Sequence, residues 1–391
     1  TTATDTFNVA IGYASGLSVT TGTSNTLIGG LTGDALTTGS SNVALGTNSL
    51  ASDTLGSRSV AIGQGSLFTQ NFTTATTSYN VAVGYEAGVA VTTGTQNSLV
   101  GYNAGGALTD ADFNIAIGSN ALSTDTLGSK SIAIGTQALN VQNFTTATDS
   151  HNIAIGFQTG AAITTGRQNT FVGSLAGDGT DDGNENTGIG YLALSANCGL
   201  GNTGVGSGSG RLITGQTNTT VGVSSGYEIT SGSNNLCLGA DAGRASSPGG
   251  AIDTGSNTIT LGNNSIATAN VKVDWTIPSD QRDKTDFTAL DIGLDFVKAL
   301  NPVTYKWDQR SDYDDQTPDG THKKDWLDLG FKAQEVEALE IAAGYNKANK
   351  TNLTVSLNPD GEQYGMKYSK FIPILVKAIQ ELEARVKELE G

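Results

Sequence analysis

Few side chains in this 391-residue sequence combine a reactive type with a suggestive spacing. The segment SDQRDK carries a hydroxyl at Ser279 and an amine at Lys284, with Asp280 and Arg282 between them. A serine hydroxyl is a poor nucleophile at neutral pH and needs a base within hydrogen-bond reach. A lysine can be that base only where burial or nearby cations lower its pKa. Taken alone, these six residues read as a charged turn opening a domain. Other candidates are weaker. Asp181, Asp182 and Glu185 form the one tight carboxylate cluster before Ser279, in GDGTDDGNEN. Glycoside hydrolysis needs paired carboxylates, but a solvated Gly-rich loop is the better reading there. His151 and His322 lie beside a strand and in a polar loop, which argues against a Ser–His–Asp triad. Cys198 and Cys237 read as small buried residues rather than a disulfide. No metal site and no cofactor is expected.

The elements that must hold such a site are of two kinds, because composition changes abruptly at Ser279. Residues 1–278 carry 16 acidic and 6 basic side chains, and residues 279–391 carry 21 and 15, although the second stretch is far shorter. Forty-five of 52 glycines precede Ser279, and no proline precedes Pro248. The expected domains are therefore 1–278 and 279–391. The net charge of −16 argues against nucleic acid, which needs clustered Lys and Arg. No run of 18 apolar residues predicts a membrane-spanning helix. There is no signal-peptide pattern, and the first residue is Thr, consistent with a piece of a longer protein.

Residues 1–278 repeat. NVAIG at Asn8 recurs as NTLIG at Asn25, NVALG at Asn42 and SVAIG at Ser59, and so on to NTITLG at Asn257. The step is mostly 17 residues, with 21-residue steps after Ser59 and Ser131. The result is a 72-residue super-repeat, marked by NFTTAT at Asn71 and Asn143. Each motif predicts a short strand with apolar residues at alternating places, ended by a Gly that permits a tight turn. One unit has too little apolar surface to fold alone, so stacking into a solenoid is required. The interior is expected to be narrow and filled by Val, Ile, Leu and Ala. Tyr13, Tyr85, Tyr102, Phe157 and Tyr191 follow strand-ending glycines, and packing at the turns is preferred over a glycan-stacking stripe. The NxAIG rungs resemble the parallel β-rolls of trimeric autotransporter adhesin heads and the Gly-rich shafts of phage fibres.

Beyond Ser279, an amphipathic helix is expected at about Ile292–Leu300, ended by Asn301-Pro302 and followed by a strand. The last helix carries Tyr368, Ile372, Leu375, Ile379, Leu382, Val386 and Leu389 at spacings of 4, 3, 4, 3, 4, 3. That is a coiled-coil seam over about residues 368–390, with Ser369 as its expected cap. GFKAQEV at Gly330, the final YGMKYSKFIPILVKAIQEL and the opening SDQRDK occur in the order seen in one family. Together they resemble the intramolecular chaperone auto-processing domain of phage tail fibres and tailspikes, a self-cleaving endopeptidase. The resemblance implies a homotrimer and cleavage of the Pro278–Ser279 bond. It makes Ser279 the nucleophile and Lys284 the general base, with Asp280 and Arg282 as positioning residues. Asp283 stands where the family often has an apolar residue, and it is placed to pair with Lys284.

The expected fold is mainly β: a repetitive parallel β-roll, trimeric, followed by a small α+β chaperone domain ending in a coiled-coil helix. The expected function is a phage tail fibre or tailspike segment for host attachment, whose C-terminal trimerisation chaperone releases itself before Ser279. Enzymatic action is then a single serine–lysine cleavage in cis, with no turnover on external substrates. The expected partners are two further copies of the chain, a bacterial surface glycan or protein receptor, and other virion tail proteins. The expected location is the virion, after assembly in the host cytoplasm. The alternatives are a polysaccharide depolymerase and a bacterial trimeric surface adhesin.

Overall fold

Alternation within each NxAIG motif decides the architecture of the first part of the chain. In the computed structural model, which describes residues 5–349, 351–358, 361 and 363–391, each motif is a three-residue strand, from Val9–Ile11 to Ile259–Leu261. The strands form one fifteen-stranded parallel sheet in chain order. Register is kept rung by rung: Ala44 pairs with Ala61, Leu99 with Ala116 and Ala154 with Phe171. The protein is thus mainly β, a parallel solenoid followed by a small mixed region and a long C-terminal helix.

The central residue of each strand points inward. Leu27, Ala44, Ala61, Ala82, Leu99 and Ala116 are fully buried or nearly so. The opposing wall comes from the second segment of each rung, through Leu36, Leu50, Leu67, Leu108, Leu122 and Ile163. The interior is thus filled by Leu, Ala, Val and Ile as expected, with Val91, Ile163, Ile213 and Ile229 among them, but the Val and Ile of the strands themselves are placed otherwise. The Val and Ile residues flanking each central residue face outward, because side chains alternate across a strand and the narrow interior takes one residue per strand. Ile11, Leu45, Ile117, Ile155, Ile189 and Leu238 therefore form an exposed apolar row on the outer face of the sheet. The five aromatics after the strand-ending glycines also differ from expectation. Tyr13, Tyr85, Tyr102, Phe157 and Tyr191 are 45–80% exposed, and Tyr85 stacks on Tyr102 at 5.8 Å.

The first residue of the motif carries a second code. Asn97 Nδ2 donates to Ala111 O at 2.8 Å, and its Oδ1 accepts from the Asn114 N–H at 3.0 Å. The same bonds recur along the roll in a buried asparagine ladder that satisfies backbone groups inside each turn. Where Ser59 and Ser131 interrupt it, a buried network takes over. Gln70 Nε2 donates to Asp53 Oδ2 at 2.6 Å and to Ser59 Oγ at 2.9 Å, while Asn80 Nδ2 donates to Gln70 Oε1 at 2.9 Å. Asp125, Ser131, Gln142 and Asn152 repeat it one super-repeat later. Burial pushes both carboxyls, Asp53 and Asp125, up. Strand-ending Gly is required at each rung. Gly84, for example, has φ +143°, and a Cβ there would lie 2.3 Å from Gly101 O. Cys198 and Cys237 are buried free thiols.

The chain forms two compact units, residues 1–244 with 252–262 and residues 245–251 with 263–391. In the second, the helices are α1 (Leu294–Ala299), α2 (Ala333–Ala342) and α3 (Phe371–Glu390). Two short antiparallel pairs join Val303–Tyr305 to Asp328–Gly330 and Val355–Leu357 to Tyr364–Met366. Ile292, Phe296, Val336, Val355, Phe371 and Ile374 make the core. The Glu340 carboxylate is buried and accepts from Leu353 N at 3.1 Å and Thr354 N at 2.6 Å, tying α2 to the next segment. Ser369 does not cap the last helix. Tyr368–Lys370 form a 3-10 turn and α3 starts at Phe371 with no side-chain cap. Among the described residues no helix is long and apolar enough to cross a membrane.

Candidate autoprocessing site

The SDQRDK segment folds locally, as short-range hydrogen bonding dictates. Asp280 caps a single 3-10 turn, Gln281–Asp283, by accepting the Arg282 N–H at 2.9 Å. The Arg282 guanidinium returns to the same carboxylate, with Nη2 donating to Oδ2 at 2.6 Å and Nε to Oδ1 and Oδ2 at 3.1 Å. This contact holds the Asp280 carboxyl below its ordinary range and raises the Arg282 guanidinium. The turn reverses the chain so that Lys284 meets Ser279. Lys284 Nζ lies 2.5 Å from Ser279 Oγ and 3.2 Å from Ser279 O.

All four sequence-derived site residues therefore lie in one turn, with Pro278 immediately upstream. Asp283 does not pair with Lys284: among the described residues no ion pair joins them. Lys284 is instead engaged by Ser279. The site is open, since every residue from Ile277 to Lys284 is exposed in the single chain. An ammonium at Lys284 donates to the hydroxyl and orients it. To accept the hydroxyl proton the amine must be neutral. The geometry thus sets an amine against a hydroxyl in an open, exposed turn.

The other candidates do not assemble. Asp181 accepts from Thr164 Oγ1 on an exposed turn, and Asp182 and Glu185 are exposed beside it. His322 stacks edge-on against Tyr313 at 4.8 Å, and no hydrogen bond among the described residues joins its ring to a serine. Among the described residues no group of His, Cys, Asp or Glu is arranged to hold a metal ion.

Sequence reasoning missed two features of the same unit. The first is the cap of α1. Gly293 leaves room for Glu381 of α3, whose Oε2 accepts the Leu294 N–H at 2.7 Å, and a Cβ at position 293 would lie 2.4 Å from that oxygen. The amide holds the Glu381 carboxyl below its ordinary range. Only the unusual Gly before a helix start could have pointed to it. The second is the double character of α3. Phe371, Ile374 and Ala378 are buried against the domain, while Tyr368 and the α3 residues Ile372, Leu375, Ile379, Leu382, Val386 and Leu389 are 44–87% exposed.

The turn holding Ser279 against Lys284 opens a stretch that matches one family model. Residues 279–345 match the chaperone of endosialidase, Peptidase S74. No curated protein and no solved structure matches the chain. The match begins at Ser279 and covers α1, the strand Val303–Tyr305, its partner Asp328–Gly330 and α2. A β-solenoid followed by a chaperone-of-endosialidase region is the organisation of a tailspike- or fibre-type protein with a C-terminal chaperone.

Proposed function

We propose that this chain is a segment of a phage tail fibre or tailspike that serves host attachment. Its chaperone region assembles three copies and then cuts itself off at Pro278–Ser279. The observation that carries the cleavage reading is the 2.5 Å contact between Lys284 Nζ and Ser279 Oγ at the first residue of the chaperone match. In the reaction, Ser279 Oγ attacks the carbonyl carbon of Pro278 as its proton passes to a neutral Lys284 amine. The Pro278–Ser279 C–N bond breaks, and Lys284 returns the proton to the departing Ser279 amine. The resulting ester is hydrolysed by water to a Pro278 carboxylate and a free Ser279 hydroxyl. Asp280 and Arg282 keep the turn closed.

Two surfaces support self-association. One is the outer apolar row of the roll and the other is the heptad seam of α3, both exposed in a single chain. Exposed contiguous apolar faces of this length mark association sites in proteins. The count of three follows from the family resemblance. Neighbouring copies would also remove Lys284 from water, making cleavage a check on completed assembly. Parallel stacking of near-identical rungs is slow and open to register slips, which is why such a roll needs a chaperone. The receptor would be a bacterial surface glycan or protein, and the other partners virion tail proteins.

The test is intact mass and denaturing gel electrophoresis of freshly expressed wild type beside Ser279→Ala and Lys284→Ala. Two fragments divided at Pro278–Ser279 in wild type alone are expected. A wild-type chain that stays whole under conditions where it assembles overturns the cleavage reading.

A further inference from the structure

Between the last rung of the roll and the site lies a stretch that neither part absorbs. Residues 271–277 read VKVDWTI, with Val271, Val273, Trp275 and Ile277 alternating against Lys272, Asp274 and Thr276. That period of two is the signature of a strand with one apolar and one polar face. Yet the segment forms no strand, and among the described residues its backbone N–H and C=O groups make no backbone hydrogen bond. The four apolar side chains are 56%, 71%, 78% and 70% exposed. A row of free backbone groups with an apolar face is a template for pairing with another chain.

We infer that residues 271–277 become a β-strand by pairing with the same segment of neighbouring copies of this chain, and that this pairing positions the scissile bond. Two observations, with one rule of symmetry, select a second copy as the occupant. The polar face carries opposite charges two residues apart, so a two-residue offset sets Lys272 of one copy beside Asp274 of the next. Cyclic symmetry makes such strands run in the same direction, as repeated pairing of one segment requires. In sequence the segment also lies between the roll's outer apolar row, which ends at Leu261, and the seam of α3. Pro278 has no N–H and stops the pairing immediately before Ser279. The bond to be cut would then project from the end of a fixed intermolecular strand, with Val273 and Trp275 covered.

This inference rests on the self-association proposed above, and the test separates the two. Hydrogen exchange is measured on the full-length Ser279→Ala chain, alongside its mass by sedimentation. The expected result is an oligomer in which the amides of 271–277 exchange roughly tenfold or more slower than unpaired amides. Lys272→Asp should abolish that protection, and adding Asp274→Lys should restore it. An oligomer with protected roll and α3 amides but unprotected 271–277 overturns this inference and leaves self-association standing. A monomer overturns both.

Discussion

At the residue scale, the chemistry of the site and the order of the roll both rest on short polar contacts. Lys284 Nζ meets Ser279 Oγ within one exposed turn, and the cleavage proposed above requires that lysine to be neutral. The asparagine ladder is a sharper case, because it is fully buried. Asn97→Ala removes the partners of Ala111 O and Asn114 N at once. Each orphaned group costs on the order of 1–3 kcal/mol, so the substitution should cost about 3 kcal/mol in all. Thermal or denaturant unfolding of the roll checks it, and an unchanged midpoint would mean that the ladder is ornamental. The recurring Asn was visible in the sequence as the first letter of each motif. Its inward direction was not, because a polar residue at a strand start is usually solvated.

At the element scale, α3 divides its work between two faces. One holds Phe371, Ile374 and Ala378 in the core of its own unit, and the other carries the exposed seam. The two faces predict opposite outcomes for substitution. Ile374→Ala should destabilise the unit by about 2–5 kcal/mol, a cavity effect. Ile379→Asp should leave its melting temperature nearly unchanged while the assembled mass falls to that of a monomer or a weakened oligomer, read by sedimentation. Should Ile379→Asp unfold the unit instead, the seam would be a structural face and not an association face. The heptad spacing announced the seam, but the sequence could not show that a second face of the same helix serves the domain. That depends on where α1 lands, and α1 is fixed by the Glu381 cap that only the folded chain brings near Leu294.

At the scale of the whole molecule, the two units respond oppositely to acid. In the chaperone unit, amides, cations and hydroxyls hold carboxyls below their ordinary values of 3.8 for Asp and 4.5 for Glu. Glu381 is lowered by Leu294 N, Glu335 and Glu337 by Lys332 and Lys347, and Asp319 by Thr321. The stability these groups contribute is present above the unfolded-state pKa and is lost as pH falls through the folded-state pKa. In the roll, burial raises Asp53, Asp125 and Asp178. Their contribution is full below the unfolded pKa and is lost as pH rises through the folded value, so acid favours the folded roll. As the pH falls below the ordinary carboxyl values toward these lowered ones, the second unit should therefore lose stability before the roll does. Circular dichroism and calorimetry on the full chain would show the helical signal leaving first. Loss of the sheet signal at higher pH than the helical signal would contradict this assignment.

By itself the sequence determined the solenoid, its 17- and 21-residue steps, the compositional break at Ser279 and the residues of the candidate site. Each of these is written in local spacing: a period, a turn residue, or a six-residue segment whose partners lie within one turn. Only the tertiary structure decided which side of each strand faces inward, and it sent the strand Val and Ile residues outward while Leu and Ala fill the apolar interior. Only the tertiary structure left the aromatics after the turns exposed, replaced Ser369 as the start of α3 and gave α1 a cap from Glu381. These outcomes depend on contacts between residues far apart in the chain. A strand's alternation states that two faces differ, but the volume available between facing walls decides which face is buried.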